Sequence, residues 1–229
     1  MKRTLRPAIA ASMALLLVGC VAPSGLSRVR ADLPVPRAEA GLFAESTPSV
    51  AVLGDSLTAW DPAWEGHTEL SWMTTAIGLM PVACGWAESG APIARILELS
   101  QPCPEAEFVV IMAGTNDIPI RQRTAIPDRL AGMDAIVETV GAPFVVIMAV
   151  PPLDTYPPET LEWNAILADH ATAQGWGFID PWTAYRDVDG SYLPGTAFED
   201  GVHPSAETAA AVATLVADWI TQRSAKLQQ

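Results

Sequence analysis

Phe108-Val109-Val110-Ile111-Met112 and Phe144-Val145-Val146-Ile147-Met148-Ala149-Val150 are two unbroken apolar runs rich in β-branched side chains. They are too short for a buried helix and carry no polar alternation. That is the pattern of strands covered on both faces of a parallel sheet. Working outward, Val50-Ala51-Val52-Leu53 is a similar run ending at Gly54, Met80 to Ala83 is a weaker one, and Gly177-Phe178-Ile179-Asp180 completes the series. Between them lie segments expected to be helical, roughly 69–79, 92–99, 127–140, 158–174 and 205–225. Proline stands near the start of three of these, where a backbone N–H would have no helical partner, and Ser205 is placed to cap the last. Strands alternating with helices predict an α/β fold, a three-layer α/β/α arrangement around a doubly wound parallel five-stranded sheet with right-handed crossovers.

The chain has 229 residues, half of them hydrophobic, with 13 basic against 26 acidic side chains and a formal charge of -13. The length suits one medium α/β domain, or a small domain plus a tail, better than two full domains. Such acidity argues against nucleic acid as a partner, which calls for a basic stripe. It also argues against binding anionic lipid heads through a polybasic patch. The hydrophobic content excludes a disordered acidic chain.

Three cysteines leave one without a partner in an exported protein. The N-terminus supplies an explanation: Met1-Lys2-Arg3-Thr4-Leu5-Arg6 is basic, residues 7–19 are uncharged, and Cys20 follows. A basic segment before a short apolar one is an export signal, too short to span a bilayer comfortably. Leu17-Val18-Gly19-Cys20 resembles the lipobox of bacterial lipoproteins, in which the cysteine is lipidated and becomes the first mature residue. An ordinary signal peptide with a chance cysteine is the alternative. The lipoprotein reading makes residues 1–19 a signal peptide, 20–48 a lipidated cysteine and proline-dotted tether, and 49–229 the folded domain. It places the protein on the outer face of the cell membrane, held there through the lipid alone. Loss of Lys2, Arg3 and Arg6 lowers the net charge to -16. Cys84 and Cys103 then remain as an even pair, either bridged across about 20 residues or as two free buried thiols. The most apolar later stretch, from Ala206 to Ile220, is interrupted by Glu207 and Asp218 and does not read as a membrane span.

In doubly wound sheets the functional site lies beyond the carboxyl ends of the strands. Gly54-Asp55-Ser56-Leu57-Thr58 follows the first strand, Glu88-Ser89-Gly90-Ala91 the second and Gly114-Thr115-Asn116-Asp117 the third. Asp200-Gly201-Val202-His203-Pro204 precedes the last helix. A serine, a backbone-exposing glycine, a side-chain amide and an Asp/His pair are the parts needed for acyl transfer: nucleophile, oxyanion donors, base and orienter.

Taken together, these four blocks strongly resemble those of the SGNH (GDSL-type) hydrolases, over about residues 49–222. The resemblance implies a flavodoxin-like sheet and a serine esterase that acts through an acyl-enzyme. It makes Ser56 the nucleophile at the start of the first helix, His203 the base and Asp200 the group that fixes the histidine tautomer. It also implies an oxyanion hole built from the Ser56 and Gly90 backbone N–H groups and the Asn116 side chain. No cofactor is implied. The substrate would be a carboxylic ester, with short acyl or O-acetyl groups favoured. The second block departs from the family's commoner form: Trp86-Ala87-Glu88-Ser89 stands where an asparagine is frequent, and Pro92 where a threonine is.

No Gly-x-Ser-x-Gly elbow and no metal or nucleotide motif is present. Asp55 and Asp117 are expected to fix loop geometry through backbone hydrogen bonds, Asn164 to be structural, and His67 and His170 to lie on the surface or on a helix face. Trp60 and Trp64 are candidates to flank the substrate, and Arg121 and Arg123 to meet an anionic group. Two other functions share the pattern. One is an O-acyltransferase, in which a glycan hydroxyl replaces water. The other is a non-catalytic surface-binding lipoprotein.

Overall fold

The computed structural model describes residue 43 and residues 47–59, 67–119 and 124–229. Five strands form one parallel sheet: β1 (Val50–Gly54), β2 (Val82–Ala87), β3 (Phe108–Met112), β4 (Phe144–Met148) and β5 (Gly177–Ile179). Their order is β2-β1-β3-β4-β5. Every residue of β1 and β3 is buried, as expected for central strands in a three-layer fold. The helices are α1 (Met73–Ala76), α2 (Ile93–Leu99), α3 (Ile126–Val140), α4 (Pro157–Gln174) and α5 (Ala206–Leu227). The connections from β2 through α2, α3 and α4 all progress in one direction across the sheet. Right-handed crossovers therefore set these helices on one face. The opposite face carries α1 packed against α5. No helix among the described residues is long and apolar enough to cross a membrane.

Two elements differ from expectation. β2 runs from Val82 to Ala87 rather than from Met80 to Ala83. It is an edge strand, and only its first and last residues are buried, so the continuous apolar run of a central strand is replaced by half-buried Ala83-Cys84-Gly85-Trp86. The helix expected over 69–79 shortens to α1, preceded by a 3₁₀ turn at Thr68–Leu70. Here Ser71 Oγ accepts the N–H of Met73, and Trp72 donates its N–H to the Leu57 carbonyl outside the helix. Such competing bonds disfavour a continuous helix. The other helices begin as expected. Proline lies in the first turn of α3 and α4, and Ser205 Oγ accepts the N–H of Thr208 at 3.2 Å to cap α5.

Cys84 and Cys103 form a disulfide with a Cα–Cα separation of 6.2 Å. It closes β2 and α2 into one loop and fixes the edge strand to the turn that enters β3. Cys20, the signal segment, most of the tether, and Trp60, Trp64, Arg121 and Arg123 lie outside the described residues.

Candidate active site

The connections step one way across the sheet from β1 to β2 and the other way from β2 onward, so a switch point lies between β1 and β3, and the four sequence blocks gather at the carboxyl edge there. Gly54 pairs in register with Ala87 on one neighbour and with Met112 on the other. The segments after β1, β2 and β3 therefore leave the sheet side by side, which brings Ser56, Gly90 and Asn116 together from three separate stretches of chain. Ser56 stands in a tight turn, not at the start of a helix as expected. The Asp55 carbonyl accepts the N–H groups of Thr58 at 3.0 Å and Ala59 at 2.7 Å, and among the described residues the first helical turn is that of Thr68–Leu70.

The fourth block is carried differently. After β5 the chain runs through the 3₁₀ turn Thr183–Tyr185 and irregular segments before α5 begins at Ala206. Within this stretch Asp200 Oδ1 accepts the N–H groups of Val202 and His203, both at 2.9 Å. The same carboxylate's Oδ2 accepts His203 Nδ1–H at 2.6 Å. This leaves His203 Nε2 as the acceptor for Ser56 Oγ–H, 2.9 Å away. The tautomer follows from Asp200, because an ionised carboxylate can only accept. Burial works against ionisation of Asp200. Even so, its bonds from the backbone and ring of His203 and the Val202 N–H hold it below the usual carboxylate range. His203 is buried, 7% exposed.

Gly90 is exposed at the end of a turn in which Ala91 N–H donates to the Glu88 carbonyl at 3.0 Å. Its φ of +76° suits glycine. Among the described residues neither the Ser56 nor the Gly90 N–H donates to another protein group. The departures in the second block are compensated locally. Glu88 accepts from Arg95 Nη2 at 2.8 Å, joining the turn to α2. Pro92, at the N-cap of α2, has no side-chain acceptor, and Asp117 Oδ2 takes the Ile93 N–H at 2.9 Å instead.

Asp55 has a larger part than sequence reasoning assigned to it. It is fully buried, its Oδ1 accepts the Leu57 N–H at 3.1 Å, and its Oδ2 accepts Asn116 Nδ2 at 3.1 Å. Asn116 Nδ2 also lies 3.3 Å from the Ala91 carbonyl. The carboxyl thus aims the Asn116 amide. Burial pushes the Asp55 pKa up to about 7, against the pull of the Leu57 N–H. Nothing in sequence spacing signals this bond, since the partners are 61 residues apart.

Asn164 is structural, as expected: Oδ1 accepts the Val150 N–H at 2.8 Å and Nδ2 donates to the Val150 carbonyl at 2.9 Å. His170 joins α4 to α3 through Asp134 at 2.7 Å. His67 departs from a plain surface position, with its ring centroid 4.9 Å from that of Phe198, in the segment carrying Asp200 and His203. Among the described residues, the group closest to a metal-ligand set is Cys84, Cys103 and Glu105. It does not fit an ion, because both sulfurs are spent in the disulfide.

The architecture matches solved structures at low identity. A lipase/acylhydrolase from Enterococcus faecalis superposes with a TM-score of 0.59 at 20% identity, covering 77% of this chain and 96% of the other. For a GDSL-like lipase from Bacteroides thetaiotaomicron the values are 0.58 and 19%, over 80% and 92%. For a carbohydrate acetylesterase family member from Sinorhizobium meliloti they are 0.56 and 21%, over 77% and 100%. No curated protein matches the chain. The model of the GDSL-like Lipase/Acylhydrolase family matches residues 52–211, which include all four blocks. With the fold and that match in agreement, this chain belongs to the GDSL-like lipase/acylhydrolase family and is a carboxylic ester hydrolase.

Proposed function

We propose that the chain hydrolyses carboxylic esters of short acyl groups, O-acetyl esters included, through Ser56, His203 and Asp200. The supporting observation is the unbroken relay from Asp200 Oδ2 through the imidazole to Ser56 Oγ, at 2.6 and 2.9 Å. His203 Nε2 takes the Ser56 proton as Oγ attacks the ester carbonyl. Negative charge then develops on the carbonyl oxygen and is met by the Ser56 and Gly90 N–H groups and by the Asn116 amide hydrogen that otherwise donates to the Ala91 carbonyl. The intermediate collapses to an acyl-enzyme as His203 returns its proton to the leaving alcohol. Water, deprotonated by the same histidine, releases the acid and restores Ser56. Asp200 stays ionised throughout and stabilises the imidazolium. Short acyl groups are favoured because the sequence carries no long insertion that would obviously form a lid.

The test is a series of p-nitrophenyl esters of increasing acyl length, with wild type and Ser56→Ala. Hydrolysis that declines with length and vanishes in Ser56→Ala is the expected result. Equal rates in both proteins overturn the proposal. Cys20 is read as the lipid attachment site that holds the enzyme on the outer face of the membrane, on the strength of the Leu17-Val18-Gly19-Cys20 pattern. Incorporation of labelled palmitate into wild type but not Cys20→Ser tests this. Equal incorporation into both refutes it.

A further inference from the structure

The segment between β5 and α5 that carries Asp200 and His203 has no strand in the five-stranded sheet. Its internal bonds shape the Asp200–His203 turn. Asp154, on the loop after β4, contacts it from outside. The Asp154 N–H donates to the Gly201 carbonyl at 2.9 Å. Its Oδ1 accepts the Tyr192 N–H at 2.9 Å. Gly201, between Asp200 and His203, has φ +64°, and a Cβ there would come within 2.8 Å of Asp154 Oδ2. The glycine therefore allows the carboxylate to sit against the turn.

Tyr192 extends the contact. Its ring is buried, and its Oη donates to the Val202 carbonyl at 3.2 Å. Tyr192 also pairs with Arg186 in an antiparallel bridge, and Arg186 donates to both oxygens of Asp180, just beyond β5, at 2.6 and 3.0 Å. Two consecutive carbonyls of the turn, those of Gly201 and Val202, are thus held by groups anchored at the ends of β4 and β5.

We infer that Asp154 is a positioning residue for the reaction, with Tyr192 as its partner. Together they set the place of His203 Nε2 relative to Ser56 Oγ. This inference rests on the triad reading above. A misplacement of about 1 Å in such a constellation costs up to about 10²-fold in rate.

The experiment compares wild type, Asp154→Ala and Asp154→Asn in p-nitrophenyl acetate hydrolysis. The far-downfield proton resonance of His203 Nδ1–H is recorded for each by NMR. Asp154→Ala is expected to lose about 10²-fold in kcat with little change in KM, and its downfield resonance to broaden or vanish below the unfolding temperature. Asp154→Asn keeps the acceptor for Tyr192 N–H and the backbone donor to Gly201, so both readouts should stay near wild type. An Asp154→Ala protein with unchanged kcat and a sharp resonance overturns the inference. If Asp154→Ala does not fold, Tyr192→Phe removes only the bond to Val202. A weakened resonance there supports the positioning role, and an unchanged one overturns it. A wild type without Ser56-dependent hydrolysis, but with a resonance that still depends on Asp154, sinks the esterase reading and leaves the positioning role standing.

Discussion

Ser56, Gly90 and Asn116 stand at the ends of adjacent strands, whereas Asp200 and His203 hang from a long irregular segment. The first group is placed by the sheet register itself, with Gly54 flanked by Ala87 and Met112. The second is held by backbone and side-chain bonds between loops. The strand-borne half shares its supports with the core, so damage there is expected to cost activity and stability together. The loop-borne half can lose function while the fold stands.

The sharpest way to break this contrast is His203→Ala. Members of a nucleophile–base relay act as a unit, and losing the base costs about 10⁶-fold in turnover. The expected unfolding temperature is close to wild type, measured by thermal scanning beside the kinetics. A large drop in stability would erase the distinction between the halves. Asn116→Ala is the counterpart on the strand side. Removing one oxyanion donor costs about 10²–10³-fold in turnover. It also leaves the buried Asp55 Oδ2 without its Asn116 donor, so the unfolding temperature should fall as well.

Cys84→Ser with Cys103→Ser tests the edge strand beneath Gly90. Opening a loop of this length costs about 3 kcal/mol in the chain-entropy model, read as a lowered urea midpoint. A further test concerns Asp55. In the folded chain it keeps its proton up to about pH 7, against an ordinary value of 3.8. The native state therefore binds more protons than the unfolded one between those values, and the stability this contributes is lost as pH rises through about 7. Asp55→Asn should flatten that part of the curve of unfolding temperature against pH. An unchanged slope would assign the proton elsewhere.

The same contrast explains what the sequence made legible. β1 and β3 are readable because burial on both faces demands uninterrupted apolar side chains, and β4 carries the same run although Phe144 and Val145 at its start are partly exposed. β2 is misplaced by two residues at its start, because an edge strand exposes Cys84, Gly85 and Trp86 in part. The residues of the proposed site are nameable because each block is short and local: Asp200 and His203 are three apart, and Ser56 follows its strand at once. What supports them is not legible. Asn116 with Asp55, and Asp154 with Tyr192, are pairs 61 and 38 residues apart. Their partnership depends on which strands become neighbours, and no local pattern encodes that.

All five strands point the same way, so the sheet has an entry edge and a chemical edge. Ser49, just before β1, lies at the entry edge, where its carbonyl accepts the N–H groups of Glu107 and Phe108. Five residues of strand, about 16 Å, separate it from the turn that holds Ser56. A support, tag or tether joined upstream of Ser49 therefore leaves from the edge opposite the chemical one. An enzyme immobilised through a short linker joined directly ahead of Ser49 would turn Ser56 and His203 toward the solution and away from the surface that holds it.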